Sequence, residues 1–417
     1  MDKIKNIKRL FQKAAANQGL LLFLAFWSTP LFFINDNTAH TRILRLLILL
    51  LLGGWVIATD QLRGRFMQNL GKLSQRLKVI LAGILLLMVI STVFSAEQVG
   101  LRLFGFAPEY IGLVTWMVFL LIGATLADKL VKYMLSRATL VLTVAILATG
   151  LIYNKFYIYY GLRVSGLLFQ STTMGMYAVM SLALGLYSLK SGAKRDKASR
   201  ILSIACIVLS TLTLVFTQSR IGYVAFVLVV FMWGMHRLKY KGLGTLAVIA
   251  VMLVLSSLPY LFGSYFARFR STNIERSISY RMDLYEISAK DLPKHNILIG
   301  NGPGALPTAI NNKDTVPDEI ARTLEQDNLF ASTHDMYFDF AYQFGVLASL
   351  GLVTLTLFAY IKNIRGRVNG FLLVIFGVMI LNALFNVPSI EFTPLYFITL
   401  FALLLPGPRF IAKKHGR

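Results

Sequence analysis

The chain has few charged residues, few histidines and almost no cysteine. Of its 417 residues, 15% are charged and 56% are hydrophobic, and the mean hydropathy is +0.65. Soluble domains carry about a quarter charged residues, so this composition excludes an ordinary soluble protein. The single cysteine, Cys206, lies within an apolar run, which excludes a disulfide framework and a thiolate metal site. The sequence therefore predicts an all-α polytopic membrane protein.

Acidic residues are scarce too, with 19 Asp and Glu against 42 Lys and Arg and a net charge of +23. Such an excess can indicate nucleic-acid binding, but here the basic residues concentrate in alternate connections between apolar runs. That alternation is the positive-inside pattern of membrane proteins. We therefore expect membrane lipids and no nucleic acid as partners, and both termini in the cytoplasm.

Long apolar runs make up most of the chain. Twelve of them approach the twenty or so residues that a helix needs to cross a bilayer, which predicts about twelve transmembrane helices. The runs cover residues 18–35, 42–59, 78–95, 109–127, 138–154, 167–188, 200–217, 221–236, 243–262, 334–360, 368–386 and 390–406.

These runs divide the chain into five parts. Residues 1–17 are expected to form a basic amphipathic segment on the cytoplasmic side, followed by helices one to nine in 18–262. Residues 263–333 are the only long hydrophilic stretch and predict one large loop on the outer side. Residues 334–406 hold the last three helices, and 407–417 form a basic cytoplasmic tail.

Two local patterns stand out in the large loop. The stretch 279–291 predicts an amphipathic helix with Met282, Tyr285 and Ala289 at helical spacing on one face. The glycines between 300 and 304 predict a tight turn with positive φ, because they neither follow a strand nor open a phosphate-binding helix.

His334 follows this loop directly. Ser332 and Thr333 predict the N-cap of the next membrane helix, so His334 is expected in the first helical turn. The positive end of the helix dipole disfavours imidazolium there and keeps the ring neutral near pH 7. A neutral imidazole accepts a proton, so the position suits a general base. A histidine that only completes a helix interface is the plainer alternative.

Arginines are the other candidate site residues. Gln218 and Arg220 lie in a polar break between two apolar runs, Arg163 precedes a membrane run with a polar start, and Arg281 lies in the large loop. A guanidinium pairs bidentately with phosphate oxygens and keeps its charge. Snorkelling to lipid headgroups is the alternative for Arg220. Headgroup contact is an equal alternative for three further loop residues: Arg268, Arg270 and Arg276.

A general base and several arginines on the outer side of a membrane protein fit one reaction class. A sugar hydroxyl attacks an anomeric carbon, and a lipid diphosphate leaves. No nucleotide-binding motif is apparent, so no cofactor is expected. Asp335 and Asp339, one helical turn apart, would allow water-rich Mg²⁺ coordination, but two acids are a weak signal and no metal is expected.

The chain resembles the O-antigen ligase family, within the wider group of O-antigen ligases and polymerases. The resemblance rests on Thr217-Gln218-Ser219-Arg220, on Tyr280-Arg281-Met282-Asp283-Leu284-Tyr285-Glu286-Ile287 and on His334 after the loop. Each motif is short, and their order and spacing are more specific than any one of them. The likeness extends over nearly the whole chain, with its many spans and one late loop.

The resemblance implies a GT-C-type glycosyltransferase of the bacterial inner membrane, acting at the periplasmic face without metal. The donor would be polysaccharide on undecaprenyl diphosphate and the acceptor lipid A-core oligosaccharide. Arg220 and Arg281 would hold the diphosphate, Arg163 would assist, and His334 would activate the acceptor hydroxyl. Further possible substrate contacts are Gln218, Asp335, Tyr337 and Arg276. Asp335 departs from the family pattern, in which a neutral residue is expected after the histidine.

Three other functions remain open. An O-antigen polymerase would use the same donor, and a protein O-glycosyltransferase would use similar chemistry with a longer loop. A lipid-linked glycan transporter would bind the same donor without transfer. The two halves of the chain show no repeat of the kind common among transporters, and a single large loop favours an enzyme.

Overall fold

The protein is a bundle of helices. The computed structural model describes residues 17–28, 39–95, 103–104, 112–155, 171–190, 197–237, 281–282, 284–286, 288–290, 297–303, 305, 335–365, 370–385 and 393–406, and no strand occurs among them. Its helices are α1 (Gln18–Trp27), α2 (Ala39–Ala58), α3 (Asp60–Lys72), α4 (Gln75–Phe94), α5 (Leu113–Leu126), α6 (Leu130–Met134), α7 (Arg137–Tyr153), α8 (Ser171–Lys190), α9 (Lys197–Thr217), α10 (Arg220–Arg237), α11 (Met336–Phe344), α12 (Val346–Arg365), α13 (Gly370–Phe385) and α14 (Thr393–Leu404).

The helices have the lengths and compositions of a polytopic membrane protein. Within the described ranges, α4, α5 with α6, α8, α9 and α12 are long and apolar enough to cross a membrane. The bent pair α2 and α3 makes a sixth span if counted as one. Shorter apolar helices of 10–17 residues are α1, α7, α13, α14 and the part of α10 from Arg220 to Gly234. The run expected at 243–262 lies outside the described residues.

The connection after the second apolar run is itself a helix. Helix α3 bends by 85° from α2, which turns it away from the direction of that span. Two polar contacts hold it: the buried Asn69 Nδ2 donates to the Ala124 carbonyl (2.8 Å), and the half-buried Arg65 donates through Nη1 to the Tyr133 hydroxyl (2.6 Å). The first of these satisfies a carbonyl near the end of α5 that has no partner within its own helix.

Trp116 on α5 is the centre of the aromatic core. Its ring meets Phe340 and Phe344 of α11 edge-on, at centroid distances of 5.3 and 6.3 Å, and Phe397 of α14 at 5.7 Å. Edge-to-face aromatic pairs contribute roughly 0.5–1.5 kcal/mol each beyond the burial of their surface. Trp116 therefore connects α5 both to the buried face of α11 and to α14.

Contacts along α8 show which helix ends lie together. Near its start, a Cβ at Gly175 would lie 2.6 Å from the Cβ of Ser219, which connects α9 to α10. About 18 Å further along the helix, Tyr187 packs on Phe371 at the start of α13, with ring centroids 5.1 Å apart. The start of α10 and the start of α13 are therefore at opposite ends of the bundle. The end of α13, at Phe385, is at the same end as the start of α10.

The single membrane helix expected at 334–360 is two helices, so that prediction is wrong. Helix α11 ends before Gly345, which has a φ of +89°, and α12 begins after it. The expected N-cap at Ser332 and Thr333 is also wrong. Asp335 caps α11, because its carboxylate accepts two backbone N–H groups of the first turn. The first turn of α11 therefore does not include residue 334.

A turn of the large loop closes the break between α11 and α12. The Gly302 N–H donates to the Gln343 carbonyl (2.8 Å), and the Val346 N–H donates to the Ile297 carbonyl (3.0 Å). The two chain segments thus satisfy backbone groups that the break removes from the helical pattern. The predicted glycine turn is confirmed, with φ values of +80° at Gly300 and +91° at Gly302.

Gly345 leaves no room for a side chain, which gives a stability prediction. Its positive φ disfavours any L side chain, and a Cβ would overlap the Leu298 carbonyl oxygen. We expect Gly345→Ala to lower the free energy of unfolding by about 2 kcal/mol or more, because strain and overlap add. Thermal unfolding in detergent measures the change.

Gly83→Ala is the matched control, because a Cβ at Gly83, inside α4, meets nothing within 4 Å. It should leave the unfolding free energy unchanged or raise it by up to about 1 kcal/mol. If the Gly345 and Gly83 variants unfolded at the same temperature, the constraint at Gly345 would be refuted.

Candidate functional site

The structure describes only part of the predicted site. The described residues are Gln218, Arg220, Arg281, Asp335 and Tyr337. The predicted base His334 and two predicted contacts, Arg163 and Arg276, lie outside the described residues, as do Arg268 and Arg270. The roles of all these residues remain predictions.

The polar break between two apolar runs is present as a sharp helix–helix junction. Helix α9 ends at Thr217, and Gln218 has a φ of +49° and a side chain that is 5% exposed. Ser219 caps α10, since its Oγ accepts the Gly222 N–H at 3.1 Å. Arg220 is therefore the first residue of α10, where the helix dipole adds positive potential to its own charge. This combination favours an anion.

Arg281 reaches the same end of the bundle. It belongs to the helical residues 281–282, 284–286 and 288–290, which we call the loop segment. Its Nη2 donates to the Phe385 carbonyl at the end of α13 (3.2 Å). Since the end of α13 lies with the start of α10, Arg281 and Arg220 are at one end of the bundle. Burial lowers the pKa of Arg281, but a guanidinium stays charged at any physiological pH.

The loop segment turns a different face to the protein from the one expected. Leu284 and Ser288 are buried, whereas Met282 is 60% exposed and Ala289 is exposed. The face predicted from Met282, Tyr285 and Ala289 is therefore wrong except at Tyr285, which is half-buried. Ser288 tolerates burial because its hydroxyl donates to the Leu284 carbonyl (2.7 Å).

Asp335 connects the loop segment to α11. Its Oδ1 accepts the N–H groups of Tyr337 (2.8 Å) and Phe338 (3.1 Å), and its Oδ2 accepts the Tyr285 hydroxyl at 3.5 Å. Burial raises the pKa of the Asp335 carboxyl against the lowering effect of the two N–H donors. Burial, assisted by the charges of Asp335 and Asp339, raises the pKa of Tyr285 to about 12. The Tyr285 hydroxyl therefore stays protonated and acts as the donor.

A cavity of about 690 Å³ opens beside these residues. It lies between α10, α11, α12 and α13, with Asp335 and Tyr337 lining it where α11 begins. Along α12 and α13 its walls are mostly apolar, including Val353, Leu357 and Leu381. A cavity with polar groups at one end and apolar walls beyond suits an amphiphile with a polar head and a long apolar tail.

Residues 205–353 match the O-antigen ligase family. The chain is similar to that family over this range. The matched range runs from α9 into α12, so it contains Gln218, Arg220, Arg281 and Asp335. The resemblance inferred from the sequence motifs is confirmed over this range. No curated protein matches the chain.

Tyr337 was expected as a substrate contact, but the hydroxyls near it, those of Ser349, Thr356 and Tyr396, were not predicted from the sequence. The Tyr337 hydroxyl lies 3.1 Å from that of Tyr396 on α14, which also hydrogen-bonds to Thr356 on α12. The Ser349 hydroxyl donates to the Tyr337 carbonyl (2.7 Å). These bonds connect Tyr337, inside the matched range, to α14, which lies outside it. Tyrosine and threonine inside apolar runs were the available signal, since polar groups at membrane depth need partners.

Asp335 and Asp339 were the only acidic pair that the sequence put forward for a metal. Asp335 is engaged as the cap of α11, and Asp339 is 3% exposed. Across the described ranges, no three His, Cys, Asp or Glu residues gather into a group that could hold a metal ion.

Proposed function

We propose that the protein is an O-antigen ligase that transfers polysaccharide from undecaprenyl diphosphate to a sugar hydroxyl of lipid A-core oligosaccharide. The match of residues 205–353 to the O-antigen ligase family supports a ligase- or polymerase-type function. One observation carries the proposal further: Arg220 and Arg281, far apart in sequence, lie at one end of the bundle, where Asp335 lines an amphiphile-sized cavity.

The proposed transfer is a displacement at the anomeric carbon. The acceptor hydroxyl attacks that carbon and gives its proton to His334, while the bond from the carbon to the phosphate oxygen breaks. Undecaprenyl diphosphate leaves with the bonding electron pair. Arg220 and Arg281 stabilise its growing negative charge, assisted by Arg163, because guanidinium groups match phosphate oxygens in geometry and charge. Gln218, Tyr337 and Arg276 are assigned secondary substrate contacts.

The cavity supports a lipid-linked donor rather than a soluble one. Its apolar walls along α12 and α13 match a polyprenyl chain, and Asp335 and Tyr337 mark the end at which the polar diphosphate would lie. A soluble nucleotide sugar would leave these apolar walls unused.

We place this site in a GT-C-type architecture of twelve spans in the bacterial inner membrane. In this arrangement both termini are cytoplasmic, and the loop 263–333 faces the periplasm. The excess of basic residues in alternate connections supports this orientation.

An in vitro transfer assay in detergent tests the proposal. It combines purified protein with polysaccharide on undecaprenyl diphosphate and lipid A-core, with and without EDTA. We expect transfer that depends on lipid A-core and persists in EDTA. Elongation of the donor without lipid A-core would make the protein a polymerase, and donor binding without transfer would make it a transporter.

The same assay tests whether the cavity holds the donor lipid. Val353→Trp narrows the cavity and should raise the KM for the full-length polyprenyl donor by about tenfold, with a smaller change for a short-chain analogue. Leu350→Trp is the matched control, because Leu350 is on the same helix, 55% exposed and absent from the cavity wall. Equal effects of both variants on both donors would show that the cavity does not hold the donor lipid.

A further inference from the structure

The contact between Tyr285 and Asp335 joins two parts of the proposed site that are distant in sequence. Tyr285 is one helical turn after Arg281 in the loop segment, and Asp335 directly follows His334 in the chain. We propose that Tyr285 and Asp335 are positioning residues, which hold the arginine-bearing loop segment against the start of α11. The inference rests on the proposed function.

Contacts on both sides of Tyr285 support this role. Its hydroxyl meets Asp335 Oδ2 at 3.5 Å, and its ring meets Phe338 edge-on with centroids 5.5 Å apart. One turn earlier, Arg281 reaches the Phe385 carbonyl (3.2 Å). Residues four apart lie on the same face of a helix, so both side chains dock the loop segment onto the membrane helices.

The two carboxylate oxygens of Asp335 accept hydrogen bonds from different parts of the site. Oδ1 caps α11 and thereby sets where the chain enters that helix. Oδ2 receives the hydroxyl of the loop segment. Residue 334 is covalently bonded to Asp335. The Asp335 side chain therefore links the backbone just before α11 to the loop segment that carries Arg281. Misplacement of a reacting group by about 1 Å can cost roughly 100-fold in rate, so such a link affects transfer without touching substrate.

Two conservative variants remove this link and little else. Tyr285→Phe keeps the ring on Phe338 and removes the hydroxyl. Asp335→Ser keeps an oxygen for the cap, where Ser and Asp are nearly equivalent, and removes the second oxygen that accepts the Tyr285 hydroxyl. Tyr153→Phe on α7 is the matched control, because Tyr153 is 48% exposed and lies in none of the proposed site elements.

A double-mutant cycle on transfer tests the proposal. Each single variant should lower kcat for transfer by about tenfold and leave the KM for lipid A-core unchanged. The double variant should also lose about tenfold, because both changes remove the same contact. A loss near 100-fold in the double variant would show independent roles and overturn the inference, as would unchanged transfer in either single variant.

Amide hydrogen exchange gives a readout that does not depend on activity. Exchange across 281–290 should speed up by the same factor in the two single variants and the double variant, and should match wild type in Tyr153→Phe. Unchanged amide exchange across 281–290 in these variants would refute the proposal that the contact holds the loop segment in place. If the wild type transferred nothing, the proposed function would fail while exchange still tested the contact. If the wild type transferred polysaccharide and the kcat losses of the two single variants multiplied in the double variant, only the positioning role would fail.

Discussion

Replacement of His334 by alanine is expected to lower transfer by roughly 100- to 10,000-fold, the usual contribution of a positioned general base. The reason is chemical: the acceptor hydroxyl must lose its proton as it attacks, and none of the described residues beside Asp335 offers a neutral base near pH 7. Binding of the donor should persist, because the proposed diphosphate contacts come from arginines. Transfer is measured with lipid A-core, and donor binding by native mass spectrometry of the detergent-solubilised protein.

The same substitution at the histidine within the loop, His295→Ala, is the matched control and should keep transfer near wild type. A His334→Ala protein that binds donor and still transfers at the wild-type rate would refute the role of base. Equal losses in both variants would point to a general effect on the loop rather than to proton transfer.

Replacement of Arg281 by lysine is expected to raise the donor KM or lower kcat/KM by about 10- to 100-fold, the value of a hydrogen bond to a charged group. Lysine keeps the positive charge but has no planar fork, so it cannot pair with two phosphate oxygens at once. Arg220→Lys should behave in the same way, because the dipole of α10 does not replace the planar pair of N–H donors that arginine has and lysine lacks. Kinetics with varied donor concentration measure both changes.

Lys290→Ala separates phosphate binding from the general charge of the loop segment. Lys290 lies nine residues after Arg281, its side chain is 73% exposed, and it pairs with Glu286. Its removal should change donor kinetics by less than about twofold, since exposed ion pairs contribute little. Wild-type kinetics in Arg281→Lys would contradict bidentate recognition, and a large loss in Lys290→Ala would indicate that charge alone matters.

The features that the sequence predicts well are those set by neighbouring residues. A polar quartet between two apolar runs predicts the junction before Arg220, since polar side chains interrupt a membrane helix only where they find partners. Glycines at 300 and 302 predict positive φ, because few other residues adopt it. The apolar runs likewise predict an all-α membrane protein.

The missed features depend on contacts between distant segments. Gly345 lies among small residues that also suit helix packing, and its break appears only because the 297–303 turn supplies backbone partners. Asp335, rather than the preceding Ser-Thr pair, became the cap, a choice that local preferences do not decide. The contact of Tyr285 with Asp335 spans 50 positions in the chain, beyond any periodic pattern.

The turn in the α11–α12 break has a consequence for recombination between related enzymes. Gly302 donates to Gln343, and Val346 donates to Ile297, so neither segment keeps its backbone partners without the other. A relative's loop would supply the same backbone groups, but only glycine fits at the closest approach: a Cβ at Gly300 would lie 2.4 Å from the Gly345 nitrogen, and a Cβ at Gly345 would overlap the Leu298 carbonyl oxygen. Hybrids joined between Ile297 and Val346 should therefore fold only where both parents have glycine at these two positions, and hybrids joined outside this block should not depend on them.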